Sequence, residues 1–207
     1  MGKKWTVGRV SAALCAAGLM VAGCSGGGDP DPSGTTAVTA SPSDPPSSAE
    51  PTSPAPGPTP WPEPTRPAAM ERDDIEGAKA AAEYFLELYP YVYATGDLEE
   101  WRAMSDPACE FCEGAAGHAT ELFSAGGYGV GGDIEVLEIG AAPPDDDWEH
   151  FRVGVDGVES PSVEYSRSGE VLRTIAGGEV TYNFALLPTE SGWVVRGVNV
   201  QEGQSGA

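Results

Sequence analysis

The sequence predicts an α+β domain over residues 68–202: three helices, then an antiparallel sheet of four to six strands. Three observations carry that expectation. Apolar or small residues at Ile75, Ala78, Ala82, Phe85, Tyr89 and Val92 alternate steps of three and four, which is one face of a helix. Beyond Gly127 the step becomes two, as on a half-buried strand. Between the two regimes, Thr95-Gly96-Asp97 and Ser105-Asp106-Pro107 supply tight joints for two further helices. Helices first and strands second place the helices together on one face of the sheet.

The first helix opens near Asp74, where Asp73 and Glu76 have the spacing of a capping box. Gly96 can take the left-handed conformation that ends it. Pro90 lies inside the helix and removes the N–H owed to the Leu86 carbonyl, so a kink is expected there. Asp97 and Glu100 repeat the box for a short helix with Leu98, Trp101 and Met104 inward. With Asp106 as cap and Pro107 as first residue, a third helix runs to about Ala125. Its buried side is Phe111, Cys112, Ala115, Ala119 and Leu122, and Gly126-Gly127 stops it.

The strands follow as alternating runs: Ile134 and Val136, then Phe151, Val153 and Val155, then Val180, Tyr182 and Phe184. Trp193 to Val200 makes the last, and Val163, Tyr165, Val171 and Ile175 complete the set. Ser168-Gly169 and Ser191-Gly192 sit where hairpin turns are needed.

What precedes the domain is of another kind. Lys3 and Lys4 give a positive start, and Val10–Ala22 is an apolar and small-residue run too short to span a bilayer comfortably. It ends in Val21-Ala22-Gly23-Cys24 and resembles a bacterial lipoprotein signal, residues 1–23. That resemblance implies that Cys24 is the first mature residue and carries acyl chains, palmitate among them. Buried CH₂ groups would then hold the protein to the extracytoplasmic face of the cell membrane. Residues 24–67 form a tether. From Ser25 to Pro67 there are thirteen prolines, many Ser and Thr, and almost no large apolar residue. Such a segment cannot bury enough surface to offset its ordering entropy, so it is expected to be disordered. Its reach lies between roughly 35 Å as a coil and about 130 Å as extended polyproline II. Trp61 is its one large aromatic residue, either docked on the domain or idle.

The chain's net charge is −21, and residues 68–207 hold 27 acidic against seven basic residues. A surface this acidic repels phosphate backbones, so no nucleic acid is expected as a partner.

The order helix, Thr-Gly-Asp, short helix, Asp-Pro, third helix and a sheet ending in Trp193-Val194-Val195 resembles the cone-shaped fold of nuclear transport factor two and ketosteroid isomerase. Residues 62–202 also resemble a family of actinobacterial lipoproteins bearing a domain of unknown function. The shared features are a tyrosine-rich first helix, Cys-x-x-Cys entering the third helix and a Gly-Gly pair like Gly131-Gly132 at a strand start. The resemblance implies a strongly bent sheet and brings no assigned activity.

Isomerases of that fold need a carboxylate base and buried oxyanion donors at the mouth of the cone. Asp133 and Glu135 with Tyr84 or Tyr91 are the residues available for those roles. A solvated strand face and packed helix aromatics explain the same four. His118 and His150 have no partner motif, and Asp145-Asp146-Asp147 lacks the spacing and glycine of a calcium loop. No phosphate loop, dinucleotide fingerprint, Gly-x-Ser-x-Gly or HExxH occurs. No catalytic residue, metal ligand or cofactor is therefore assigned.

Cys109-Glu110-Phe111-Cys112 supports three readings. A redox pair would want a strand before it, and a zinc site would need two more ligands from His118 and His150. The third is a structural disulfide across the first helical turn, formed on export. The function expected is non-catalytic: a stalked, lipid-anchored envelope domain that binds a small apolar ligand or an envelope protein. The alternatives are a small isomerase- or hydratase-like enzyme using the same pocket, and an accessory to wall synthesis. A buried acid of raised pKa beside a tyrosine would favour the enzyme. An apolar pocket or exposed aromatic patch would favour binding.

Overall fold

The three-four spacing from Ile75 to Val92 becomes α1, Ile75–Thr95, in the computed structural model, which describes residues 61–203. Residues 1–60, with the lipoprotein signal, Cys24 and most of the tether, lie outside the described residues. Asp74, rather than Asp73, caps α1: its Oδ1 accepts from the N–H groups of Glu76 (3.0 Å) and Gly77 (3.1 Å). Pro90 does not interrupt the helix, and Gly96 ends it at φ 74°. Tyr84, Leu88 and Tyr91 are buried beside the expected stripe, because α1 is covered on more than one side.

Helix α2, Glu99–Met104, buries Trp101 and Met104 together with Leu98 just before it. Its first turn is capped by Asp97, whose Oδ1 accepts from Glu99 N (3.0 Å). Helix α3 is Glu110–Ser124 and so starts later than Pro107. Asp106 has another task. Its side chain accepts from Ala108 N (2.8 Å) and its carbonyl from Cys109 N (2.9 Å), which closes a separate turn around Pro107.

Seven strands follow: β1 Tyr128–Gly131, β2 Ile134–Ala142, β3 Phe151–Glu159, β4 Ser162–Tyr165, β5 Val171–Ile175, β6 Gly178–Thr189 and β7 Gly192–Glu202. They form two antiparallel sheets, ordered β1-β4-β5 and β2-β3-β6-β7. The molecule is thus α+β, with three helices packed against two sheets instead of one. The register explains the extra strands. Gly131 pairs Ser162 and Ser162 pairs Ile175 in the small sheet, while Ile134 pairs Glu159 and Glu159 pairs Gly178 in the large one. Three long runs, 128–142, 151–165 and 171–189, therefore break at one level and pass from sheet to sheet along a common crease.

Glycine makes the crease possible. Gly131 and Gly132 both have positive φ (83° and 86°), which side chains with a Cβ rarely adopt. Ser160 clamps the neighbouring run, its N–H donating to Asp133 O (2.8 Å) and its Oγ accepting from Gly132 N (3.2 Å).

The core lies between the helices and the large sheet. Phe85, Trp101, Val153, Val155, Leu186, Trp193 and Val195 are all nearly inaccessible. Phe85 stacks on Trp101 with ring centres 4.0 Å apart. The short 3₁₀ turn Ala68–Glu71 closes one side, where Trp193 Nε1 donates to Met70 O (3.1 Å). Residues 61–67 also carry contacts: Trp61 packs on the core, and Arg66 pairs with Glu100 and lies over the Tyr84 ring, 6.0 Å from its centre.

Candidate functional site

Along the crease, the second half of α1 faces the small sheet across a cleft of about 60 Å³. Tyr89, Pro90 and Tyr93 line it from the helix. Gly129 to Gly132, Ser162 to Glu164, Arg173 and Ile175 line it from β1, β4 and β5, and Glu159 lies at the end of β3. Gly129 lets β1 approach the helix, since a Cβ there would stand 3.0 Å from that of Tyr93. Water-sized space of about 60 Å³ accommodates a group of a few heavy atoms, at roughly 10–15 Å³ per water-sized centre.

Two carboxylates face this space and are treated very differently. Glu164 is 9% exposed and well supplied: its Oε1 meets His118 Nε2 at 2.9 Å and Arg173 Nη1 at 3.8 Å. Glu159 has one polar contact, a long hydrogen bond from the Tyr182 hydroxyl at 3.4 Å. Among the described residues it has no ion pair. Burial pushes its carboxyl above the usual carboxylate range; the Tyr182 hydrogen bond partly offsets this, and the nearby charge of Glu202 adds a smaller push upward. Tyr182, Tyr89 and Tyr93 are all raised, burial again being the first cause. These phenols stay protonated, and the Tyr89 and Tyr93 rings meet 5.2 Å apart in a T-shape.

The residues suggested by sequence for isomerase chemistry are not assembled. Asp133 and Tyr84 line a different groove, with Trp61, Pro64 and Glu87. Burial pushes the Tyr84 hydroxyl up to about 12. Tyr91 donates to Asp97 at the end of α1 (3.1 Å), and Glu135 is exposed. His118 does have a partner, Glu164, which sequence reasoning could not supply from 46 residues away. His150 packs against Trp148. Asp145 folds its own loop, accepting from Asp147 N and Trp148 N (3.0 Å each) and pairing with Arg152 at 2.6 Å. Among the described residues no three His, Cys, Asp or Glu side chains are grouped to hold a metal.

Cys109 and Cys112 have their sulfurs 2.03 Å apart, a disulfide across the start of α3. Cys109 is the cap of that helix, its Sγ accepting from Cys112 N (3.2 Å), and both residues are buried. Trp101 Nε1 donates to Cys112 O (3.0 Å), which locks α2 onto the same turn.

No described helix is long and apolar enough to cross a membrane. The model of DUF6318, a family of unknown function, matches residues 47–197, and the chain belongs to that family. No curated protein matches it. A similar solved structure is the crystal structure of the intermembrane space region of chloroplast protein ARC6. It is 14% identical, with 64% of this chain and 99% of that chain covered and a TM-score of 0.49.

Proposed function

We propose that this member of a family of unknown function is an exported envelope lipoprotein, anchored through Cys24 and presenting a small-ligand-binding domain. The bent two-sheet layout around one helix fits the cone-fold resemblance, and the cleft at the crease is the binding site. One observation carries the ligand reading. Glu159 is half-buried in a cleft yet has, among the described residues, a single long hydrogen bond and no counter-charge. Such a group lowers stability, and sites kept at that expense are characteristically functional.

A screen of low-molecular-mass compounds against the full chain in detergent, read by NMR, tests the cleft. Ser162→Leu fills the space without touching the large sheet. Compounds that shift Tyr89 and Tyr93 resonances in the wild type should lose that effect in Ser162→Leu. If every hit survives the substitution, the cleft is not the site. The anchor is tested by fractionation: Cys24→Ala should leave the membrane or remain uncleaved, and wild-type behaviour would refute it.

The same acid supports a second reading, the enzyme that a raised-pKa acid beside a tyrosine is expected to favour. Glu159 beside the Tyr182 hydroxyl is the pairing an isomerase- or hydratase-like enzyme would use, a raised-pKa acid next to a phenol. Deuterium exchange into small carbonyl compounds tests it. Equal exchange by wild type and Glu159→Gln would exclude Glu159 as a base.

A further inference from the structure

We infer that the crease cleft takes a protonated alkylamine, its ammonium group seated against the Glu159 carboxylate and the Tyr89 hydroxyl. The inference rests on the reading of the cleft as a ligand site and adds the chemical class of the ligand.

Charge decides the class. The titratable groups lining the cleft beside Glu159 are Tyr89 and Tyr93 on α1, Glu164 on β4 and Arg173 on β5, while Tyr182 on β6 and Glu202 on β7 act on Glu159 from outside that lining. The one cation among them, Arg173, is engaged with Glu164 at 3.8 Å and is otherwise exposed. His118 meets the same Glu164 oxygen. Glu164 is therefore compensated, and Glu159 is left with a phenol at 3.4 Å and a second carboxylate in its field. The cleft is short of one positive charge. An anionic ligand would bring a third negative charge next to Glu159 and Glu202, where low dielectric strengthens the repulsion. A neutral ligand would leave the deficit in place.

The remaining chemistry points to an N–H-bearing cation. Phenol oxygens accept hydrogen bonds from an ammonium, and tyrosine ring faces attract it. Direct donation to a carboxylate gives the short, charge-assisted bond that Glu159 lacks. A quaternary ammonium has no N–H to donate and keeps only its charge and the ring faces. Size limits the rest: about 60 Å³ holds the ammonium and a few carbons, so a larger amine would leave its chain at the mouth beside Arg173.

Ethylammonium chloride titrated into the full chain in detergent at about pH 7.5 and constant ionic strength, followed by NMR of the tyrosines, tests the proposal. The expected Kd is on the order of a millimolar, near the ceiling for a ligand of three heavy atoms. Glu159→Gln should weaken it at least tenfold. Binding should also fall as pH drops through the Glu159 pKa, because a protonated carboxyl has no charge to pair. Ethanol, sodium acetate and tetramethylammonium chloride are the comparison ligands. Equal affinity of ethylammonium for wild type and Glu159→Gln overturns the inference. So does tighter saturation by tetramethylammonium, ethanol or acetate, but that result, if lost in Ser162→Leu, leaves the cleft standing as a site. A cleft that responds to none of the four probes and to no compound of the wider screen ends both readings.

Discussion

At the corner where α2 meets α3, nearly every strong polar group has a partner; at the crease, a carboxylate is left wanting. The corner is closed from several directions. Trp101 Nε1 bonds Cys112 O, Ser105 Oγ bonds Trp101 O (2.6 Å), and Asp106 N reaches across to Val195 O (3.0 Å). Arg196 pairs with Asp106 at 3.1 Å, and the disulfide fixes the turn. The crease has an equally determined backbone, set by Gly131, Gly132 and Ser160, but its side chains are only partly satisfied. Saturated polar groups and packed rings mark the part of the fold that stabilises. A rigid backbone holding an unmatched charge marks a part that is preorganised for something else.

Substitutions can separate the two. Trp101→Ala removes the ring that stacks on Phe85 and bonds the Cys112 carbonyl, both in the buried corner. Loss of a buried aromatic of this size costs about 3–5 kcal/mol, a large share of a typical domain's stability. Denaturant unfolding should show that loss; a change below about 1 kcal/mol would mean that the corner does not carry the fold.

Gly131→Ala puts the backbone of the crease to the same test. A Cβ there would lie 2.2 Å from Pro161 O, and φ is 83°. Left-handed strain of about 1–2 kcal/mol plus a backbone shift should make it destabilising by roughly 2 kcal/mol or more. If the substitution is neutral, the crease is a loose loop and the contrast between the regions collapses.

The parts of this architecture legible in the sequence are those set by near neighbours. The α1 stripe, the Gly96 stop, the inward Leu98, Trp101 and Met104, and the alternation of the large sheet depend on residues within one turn or one hairpin. The start of α3 at Glu110 is not legible because Asp106-Pro107 is an equally good signal for a turn and for a first helical turn. The crease was hidden for a related reason: Ser160-Pro161 and Ala176-Gly177 read as ordinary loops, and only the long-range register aligns them with Gly131-Gly132. The site was least legible of all. Glu159 falls at the end of an alternating run, where a solvated acid is unremarkable, and its neighbours Tyr89, Tyr182 and Glu202 come from distant segments. The tyrosine-rich helix and the Gly-Gly pair were the available signals, and neither named Glu159.

Replacing both Cys109 and Cys112 with Ser should have a smaller effect than either substitution above. Closing so short a loop stabilises by about 2 kcal/mol at most in the chain-entropy model. Trp101 still holds the Cys112 carbonyl, and Asp106 still closes its turn. The domain should remain folded with a modestly lower midpoint. Thiol labelling of the native protein checks the bond directly, since two reactive thiols in folded protein would contradict it. Complete unfolding of the double variant would show that the corner depends on its covalent link more than on its packing.

The smallest expected effect has the opposite sign and bears most directly on the crease. Glu159 has a folded-state pKa raised above its unfolded value, chiefly by burial. A group of that kind contributes stability below its unfolded pKa and loses it as pH rises through the folded one, so at neutral pH the ionised carboxylate weighs against folding. Glu159→Gln keeps the acceptor for Tyr182 and removes the charge. At about pH 7.5 it should raise the melting midpoint by roughly 1–2 °C, and the gain should shrink as pH falls and the wild-type carboxyl protonates. Asp74 and Asp145, held below the usual range by Arg72 and by backbone N–H groups respectively, respond to pH in the other direction. Both variants share them, so the difference between the two melting curves isolates Glu159. A lower midpoint for Glu159→Gln at neutral pH would mean that the carboxylate is already satisfied within the chain. The crease would then be no different in kind from the corner.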